Sequence, residues 1–229
     1  MKSLSLVVPV YDSPDHARAL VATIPELERT AAVCGFELVE TILVDDGSPR
    51  PVPDDLRRSA GPGVSPVVVL RNPRNRGKGF SVRRGALEAR GDWVLMSDVD
   101  MSTPLAEFAR LAERAEDDMV CGCRYGRPGM PLRRRILSWI FQQLVRLAGV
   151  DGLRDTQCGF KLFRMSAMRP VFAAQRIERF AFDVEIIRRL RDAGGVLTEV
   201  PVSWQGGPRS SLRLLRDAPR MLYDLFRIR

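Results

Sequence analysis

No stretch of the chain approaches the roughly 20 apolar residues needed to span a bilayer. The opening apolar stretch, broken by Pro9, is too short for a secretory signal. These two absences predict a protein made and kept in the cytoplasm, with any membrane contact peripheral. The four cysteines (Cys34, Cys121, Cys123, Cys158) lack the paired spacing of a zinc site and have apolar sequence neighbours, so buried reduced thiols are expected. Acidic residues are outnumbered: 28 Asp and Glu stand against 36 Lys and Arg, for a net charge of +8. This mostly arginine excess suits a phosphorylated ligand, an anionic membrane or nucleic acid, and a GC-rich genome accounts for it equally well. Neither an aromatic-and-basic RNA motif nor a zinc finger is present, which sets nucleic acid aside. With no internal repeat, low-complexity tract or linker, the 229 residues read as one domain.

What is present is an alternation of apolar runs and helical periodicities. Leu4 to Val10, Leu38 to Val44, Val67 to Leu70 and Trp93 to Ser97 read as buried strands rich in β-branched or aromatic residues. Helices are predicted over His16 to Cys34, Gly77 to Ala89 and Pro104 to Glu116. Between strands two and three, residues 49–66 read as a Pro- and Gly-rich loop with a short helix near Asp54. Such alternation implies parallel βαβ units with helices on both faces of a sheet. Further on, the pattern gives a strand at Met119 to Cys123, a basic helix from Arg133 to Ala148 and a loop from Asp155 running into a strand. A helix over Phe182 to Ala193, a strand over Leu197 to Trp204 and a basic amphipathic tail from Arg209 to Arg229 complete it.

The acidic and Gly-rich signals fall just after strands, where open parallel sheets bind ligands. Tyr11-Asp12, Asp45-Asp46, the turn from Arg74 to Gly79, and Asp98 to Asp100 are therefore expected to meet at one crevice. Asp98 and Asp100, two residues apart at a strand end, suit a hard cation that also bridges diphosphate oxygens, Mg²⁺ or Mn²⁺. Taken alone, Asp-x-Asp is more often a surface turn or cap. Asp45-Asp46-Gly47-Ser48 reads either as a turn with glycine at positive φ or as an acceptor for a nucleobase or ribose. Asn75-Arg76-Gly77-Lys78-Gly79 departs from the P-loop, because the upstream glycine is missing and Phe80 replaces the hydroxyl residue. A Gly-rich turn opening a helix can nevertheless approach an anion, with Lys78 adding charge.

Five strings in order carry a resemblance: Val8-Pro9-Val10-Tyr11, Val44 to Ser48, Asn75 to Gly79, Asp98-Val99-Asp100, and Asp155-Thr156-Gln157-Cys158-Gly159-Phe160-Lys161-Leu162-Phe163. Together they resemble family 2 glycosyltransferases with the GT-A fold. Within that family the likeness is greatest to the dolichyl-phosphate β-glucosyltransferases, then to the mannose synthases. It runs from Leu4 to Trp204, and the Asp155 string and Ile177 to Glu185 are its most specific parts.

The resemblance implies an α/β GT-A domain with a mostly parallel central sheet. Residues 1–118 would form a nucleotide-sugar half, 119–208 an acceptor half and 209–229 the basic tail. It implies that Asp98 and Asp100 hold the metal and, with Val99, the diphosphate. Asp46 (or Asp45) would contact the base, and Pro9, Tyr11 and Lys78 would line the nucleotide pocket. Arg124, Arg134 and Ser138 would bind an acceptor phosphate, with Asp155 and Gln157 beside sugar and acceptor. The implied reaction is inverting transfer of a hexose from UDP-glucose, or mannose from GDP-mannose, to polyprenyl phosphate; a soluble or polysaccharide acceptor is the alternative.

The chain departs from the pattern in three places. Tyr11-Asp12-Ser13 stands for the usual Tyr-Asn-Glu, and Ser102 stands where mannose synthases place a Gln. No counterpart is expected of the N-terminal membrane helix of the eukaryotic glucosyltransferases. Arginine-rich amphipathic stretches at Leu132 to Val150 and in the tail suit contact with the cytoplasmic face of an anionic membrane, or else bury their apolar faces in the core and leave the arginines solvated.

Overall fold

The computed structural model describes residues 1–57, 65–124, 142–146, 149–205, 223–224 and 228. Strand β1 (Lys2–Val10) shows how both faces of the sheet become covered. Successive side chains of a strand point to opposite faces, and β1 divides its residues accordingly. Leu4, Leu6, Val8 and Val10 join a cluster with Ala17, Leu20, Ile24, Leu27 and Ala31 of α1 (Pro14–Val33). Val7 joins the opposite cluster with Val82 and Ala86 of α2 (Lys78–Glu88). The α1 residues recur at helical spacing, so one stripe of that helix is buried along its length.

The remaining described elements are β2 (Phe36–Asp45), β3 (Val67–Arg71), β4 (Trp93–Ser97), α3 (Phe108–Ala112), β5 (Met119–Arg124), β6 (Phe160–Arg164), α4 (Met165–Ala174), α5 (Phe182–Asp192) and β7 (Leu197–Val202). They form a seven-stranded sheet ordered β3-β2-β1-β4-β6-β5-β7. Neighbours pair in parallel except β6, which runs antiparallel to both β4 and β5. An aromatic cluster closes one end of the core: Phe36 meets Trp93 and Phe108 edge to face, with ring centroids 6.0 and 5.2 Å apart.

Several elements differ from those predicted. The helix expected over Pro104 to Glu116 is a 3-10 turn, Leu105–Glu107, followed by the short α3. Helix α4 was not expected: it follows β6 with no intervening turn and contains Pro170, so no punctuation marks its start. Gly77, at φ +112°, caps α2 instead of belonging to it. β7 stops at Val202, short of Trp204. Of the predicted basic helix from Arg133, only residues 142–146 are described, and they are helical. Most of the tail lies outside the described residues, although Ile228 packs against the second cluster.

The cysteines are free; Cys121, Cys123 and Cys158 are buried, and Cys34 is partly so. Burial pushes the thiols of Cys121 and Cys123 up from an ordinary 9.0 to about 12. Between those values the folded chain keeps protons that the unfolded chain releases. The resulting stabilisation is complete below about pH 9 and is lost as pH rises towards 12. In native protein near neutral pH, a thiol reagent is expected to modify Cys34 at most. Rapid modification of three or four thiols, without unfolding, would contradict this packing.

Candidate active site

The reversed strand β6 explains how distant residues meet. β1 to β5 all end at one edge of the sheet, and β6, reversed, begins there. The residues following β1, β2, β3, β4 and β5 therefore share that edge with the loop preceding β6. The convergence expected of Tyr11-Asp12, Asp45-Asp46, Arg74 to Gly79 and Asp98 to Asp100 rests on specific contacts. The Asp46 N–H donates to the Val10 carbonyl at 2.8 Å, and the Asp12 N–H donates to Ser48 Oγ at 2.9 Å.

Asp45 and Asp46 are nearly inaccessible, at 1% and 4% exposure. Asp45 accepts from Ser48 N–H (2.8 Å), Val52 N–H (3.1 Å) and Arg71 Nη1 (2.9 Å), which folds the chain after β2 back on itself. Asp46 Oδ1 accepts from Asn72 Nδ2 (2.8 Å) and Arg76 N–H (3.0 Å), and Oδ2 from Gly77 N–H (2.7 Å). Asp46 thus clamps the Gly-rich turn. Gly47 is required where that turn passes: its φ is +66°, and an added Cβ would lie 2.5 Å from the Arg74 carbonyl carbon. The turn is also held from α5's side, by a Phe80 N–H bond to the Glu178 carbonyl (2.9 Å) and by an Arg76–Glu178 ion pair.

Lys78 extends from the start of α2 to Asp98, with Nζ 2.6 Å from Oδ1. The Asp98 side chain remains 42% exposed, so its carboxylate is accessible to solvent at the sheet edge. Its N–H donates to the Gly159 carbonyl (3.1 Å), and its own carbonyl accepts from Met101 N–H (3.1 Å), Met101 sitting at φ +49°. Asp100 Oδ1 accepts from Ser102 N–H at 3.0 Å, while Val99 packs against the first core cluster. Asp98 and Asp100 are therefore on one tight turn after β4. Among the described residues no group of three or more His, Cys, Asp or Glu side chains forms a metal site. Two carboxylates fit a hard divalent cation that takes its other ligands from diphosphate oxygens and water.

Pro9 lies within β1, opposite Val44 of β2, and Tyr11 stands half-exposed beyond the strand end. Arg124, at the end of β5, grips Asp155: Nε to Oδ2 is 2.6 Å and Nη2 to Oδ1 is 2.7 Å. Burial disfavours the guanidinium's charge, but the hydrogen bonds and charge of Asp155 outweigh it and hold the group above its ordinary value. Gln157 presents a buried Nε2 without a hydrogen-bond partner among the described residues. Arg134 and Ser138 lie outside the described residues.

Sequence reasoning passed over two supports of this site. Glu199 of β7 accepts from the N–H groups of Arg154 (2.8 Å) and Asp155 (2.7 Å), tying down the Asp155 loop. Lys161 and Asp183 form a buried pair beneath the Asp98 turn. Only the isolated lysine in the apolar run Phe160 to Phe163 signalled that pair in the sequence.

The family described as Glycosyl transferase family 2 matches residues 5–172. A dolichyl-phosphate beta-glucosyltransferase of Trichomonas vaginalis is 32% identical over 98% of this chain and 70% of its own length. The enzyme of the same name from Dictyostelium discoideum is 32% identical over 99% of this chain and 73% of its own. Among solved structures, glucosyl-3-phosphoglycerate synthase from Mycobacterium tuberculosis in complex with UDP superposes with a TM-score of 0.71 at 16% identity. That match covers 100% of this chain and 81% of the synthase chain. The same synthase with Mn²⁺, UDP-glucose and phosphoglyceric acid gives 0.68 at 14% identity, covering 98% and 77%. At such identities the structural likeness establishes the fold, which is GT-A. With the family matched over most of its length and these relatives spanning nearly all of it, the chain belongs to glycosyl transferase family 2.

Proposed function

We propose that this glycosyltransferase moves glucose from UDP-glucose to a polyprenyl phosphate such as dolichyl phosphate, with inversion at the anomeric carbon. The observation that carries this reading is the 32% identity, over 98% of the chain, to a dolichyl-phosphate beta-glucosyltransferase. The relatives named above are glucosyltransferases, and the mannose alternative has no support from them.

In this reading the nucleotide lies along the carboxyl edge between Tyr11 and Lys78, with Pro9 behind it. Asp46 has both oxygens committed to the protein and one further acceptor position for the base. Asp98 and Asp100 would hold Mg²⁺ or Mn²⁺, and a bound cation would supply the positive charge that stabilises departing UDP. Mn²⁺ accompanies UDP-glucose in the mycobacterial synthase. Lys78, already beside Asp98, supplies a second positive charge facing the diphosphate.

A phosphate monoester has a second pKa of about 6 and is mostly dianionic at neutral pH. It attacks without a strong general base, so the protein's task is alignment and charge stabilisation. Arg124 spends two of its five N–H donors on Asp155 and retains others for that phosphate. Arg134 and Ser138 complete the acceptor site, with Gln157 beside the sugar. The lipid acceptor implies work at a membrane surface, at the cytoplasmic face, with contact through the arginine-rich stretches 132–150 and 209–229. No helix among the described residues is long and apolar enough to cross a membrane.

The test uses labelled UDP-glucose, Mn²⁺ and vesicles prepared with or without polyprenyl phosphate. Label is expected in the organic phase only when polyprenyl phosphate is present. Transfer only to water-soluble products, such as from phosphoglyceric acid, would refute the lipid reading and leave a family 2 enzyme with a soluble acceptor.

A further inference from the structure

Lys161 sits in the middle of β6, opposite Met96 of β4 and Cys121 of β5, and is completely buried. An ammonium removed from water is costly unless paired, and its partner comes from another element. Asp183, in the first turn of α5 and also buried, places Oδ1 2.8 Å from Lys161 Nζ. Lys161 also donates to the backbone carbonyl of Cys158, three residues earlier. That carbonyl belongs to the peptide joining Cys158 to Gly159, and Gly159 is the residue on which Asp98 rests. The Asp98 N–H donates to the Gly159 carbonyl at 3.1 Å. A Cβ on Gly159 would lie 1.9 Å from Asp98 Oδ2, so the carboxylate packs directly on the glycine backbone.

A continuous path therefore runs from Asp183 through Lys161 to the Cys158–Gly159 peptide and on to the Asp98 carboxylate. The pair has no other evident work. Lys161 has no exposed surface with which to touch a substrate, and Asp183 turns Oδ1 inward onto its ammonium. For stability alone, an apolar pair of similar volume would serve as well or better. We propose that Lys161 and Asp183 are positioning residues that fix the Asp98 carboxylate in its cation-binding orientation, and that Asp183 is not a proton acceptor in the reaction. This rests on the reading that Asp98 holds the divalent cation.

The test compares Lys161→Met/Asp183→Leu, which replaces the pair with apolar groups, with the parent and with Asp98→Asn. Binding of Mn²⁺ in the presence of UDP is read from the free Mn²⁺ spin-resonance signal. The folded double variant is expected to bind Mn²⁺ about tenfold more weakly, the usual consequence of losing an outer-shell support. Its rate of transfer at saturating Mn²⁺ is expected to stay within about threefold of the parent, because no reacting group has been removed. A folded double variant with parental Mn²⁺ affinity would overturn the proposal. So would a large loss of saturated rate at unchanged affinity, which indicates a base. If the double variant fails to fold, Asp183→Asn, nearly identical in shape, is read by the same criteria. Parental Mn²⁺ affinity in Asp98→Asn would show that the metal-site reading itself is wrong, whatever the double variant does.

Discussion

Asp98→Asn is expected to fold like the parent and to lose about three orders of magnitude in kcat/KM for glucosyl transfer, the scale on which an aimed transition-state charge acts. The two halves of this expectation have separate causes. Among the described residues the carboxylate's one ion-pair partner is Lys78, and the pair is partly exposed, so its loss changes stability by at most about 1 kcal/mol. The backbone bonds that shape the turn, to Gly159 and Met101, do not involve the side chain. What asparagine cannot supply is negative charge for a hard cation. Asp100→Asn should behave alike, since an amide oxygen can still accept the Ser102 N–H bond that Asp100 now receives. Circular dichroism and thermal melting report the first half, and steady-state kinetics with labelled donor report the second. Full activity in both variants would remove Asp98 and Asp100 from the mechanism.

The second large effect is on stability. Asp155→Ala leaves Arg124 with a side chain only 18% exposed and without the carboxylate that grips it through two N–H groups. Removing one partner of a buried ion pair costs about 3–5 kcal/mol, because the remaining charge stays desolvated. A melting temperature lowered by roughly 6–20 °C is expected for a chain of this size. The pairing makes a second comparison informative. Arg124→Met/Asp155→Leu removes both charges and should regain most of the lost stability while remaining defective in transfer to the phosphate acceptor. A double variant as unstable as Asp155→Ala would mean that the pair's charge balance is not what matters. A fully active one would mean that Arg124 does not bind the acceptor.

The sequence was most readable where local and global signals coincide. β1, β2 and β4 are apolar runs cut off by Tyr11-Asp12, Asp45-Asp46 and Asp98, and each ends within a residue or two of the expected position. The crevice residues could be named because strand ends of a parallel sheet share an edge. The reversal of β6 was not legible, because strand direction is fixed by the intervening connection and not by the strand's own pattern. That reversal is what carries the Asp155 to Gly159 loop to the edge where Asp98 lies. Lys161 was hidden for a similar reason. A lysine inside an apolar strand normally marks a solvent-facing position, and only α5, some twenty residues further on, supplies the carboxylate that permits its burial. Asp45 and Asp46 were read as a turn or as nucleotide ligands. That their oxygens also build the turn presenting the Gly-rich loop was not legible, because that role depends on Arg71, Asn72 and Arg76 from other segments.

The central claim is that Asp98 and Asp100 gather a divalent cation and the donor diphosphate at the carboxyl edge of the sheet. Its most direct test is anomalous scattering from Mn²⁺ in crystals grown with UDP-glucose. A single strong peak bonded to carboxylate oxygens of both Asp98 and Asp100 and to the diphosphate is expected, with Lys78 beside the phosphates. A nucleotide bound without metal at this turn, or a Mn²⁺ peak held by other residues, would contradict it.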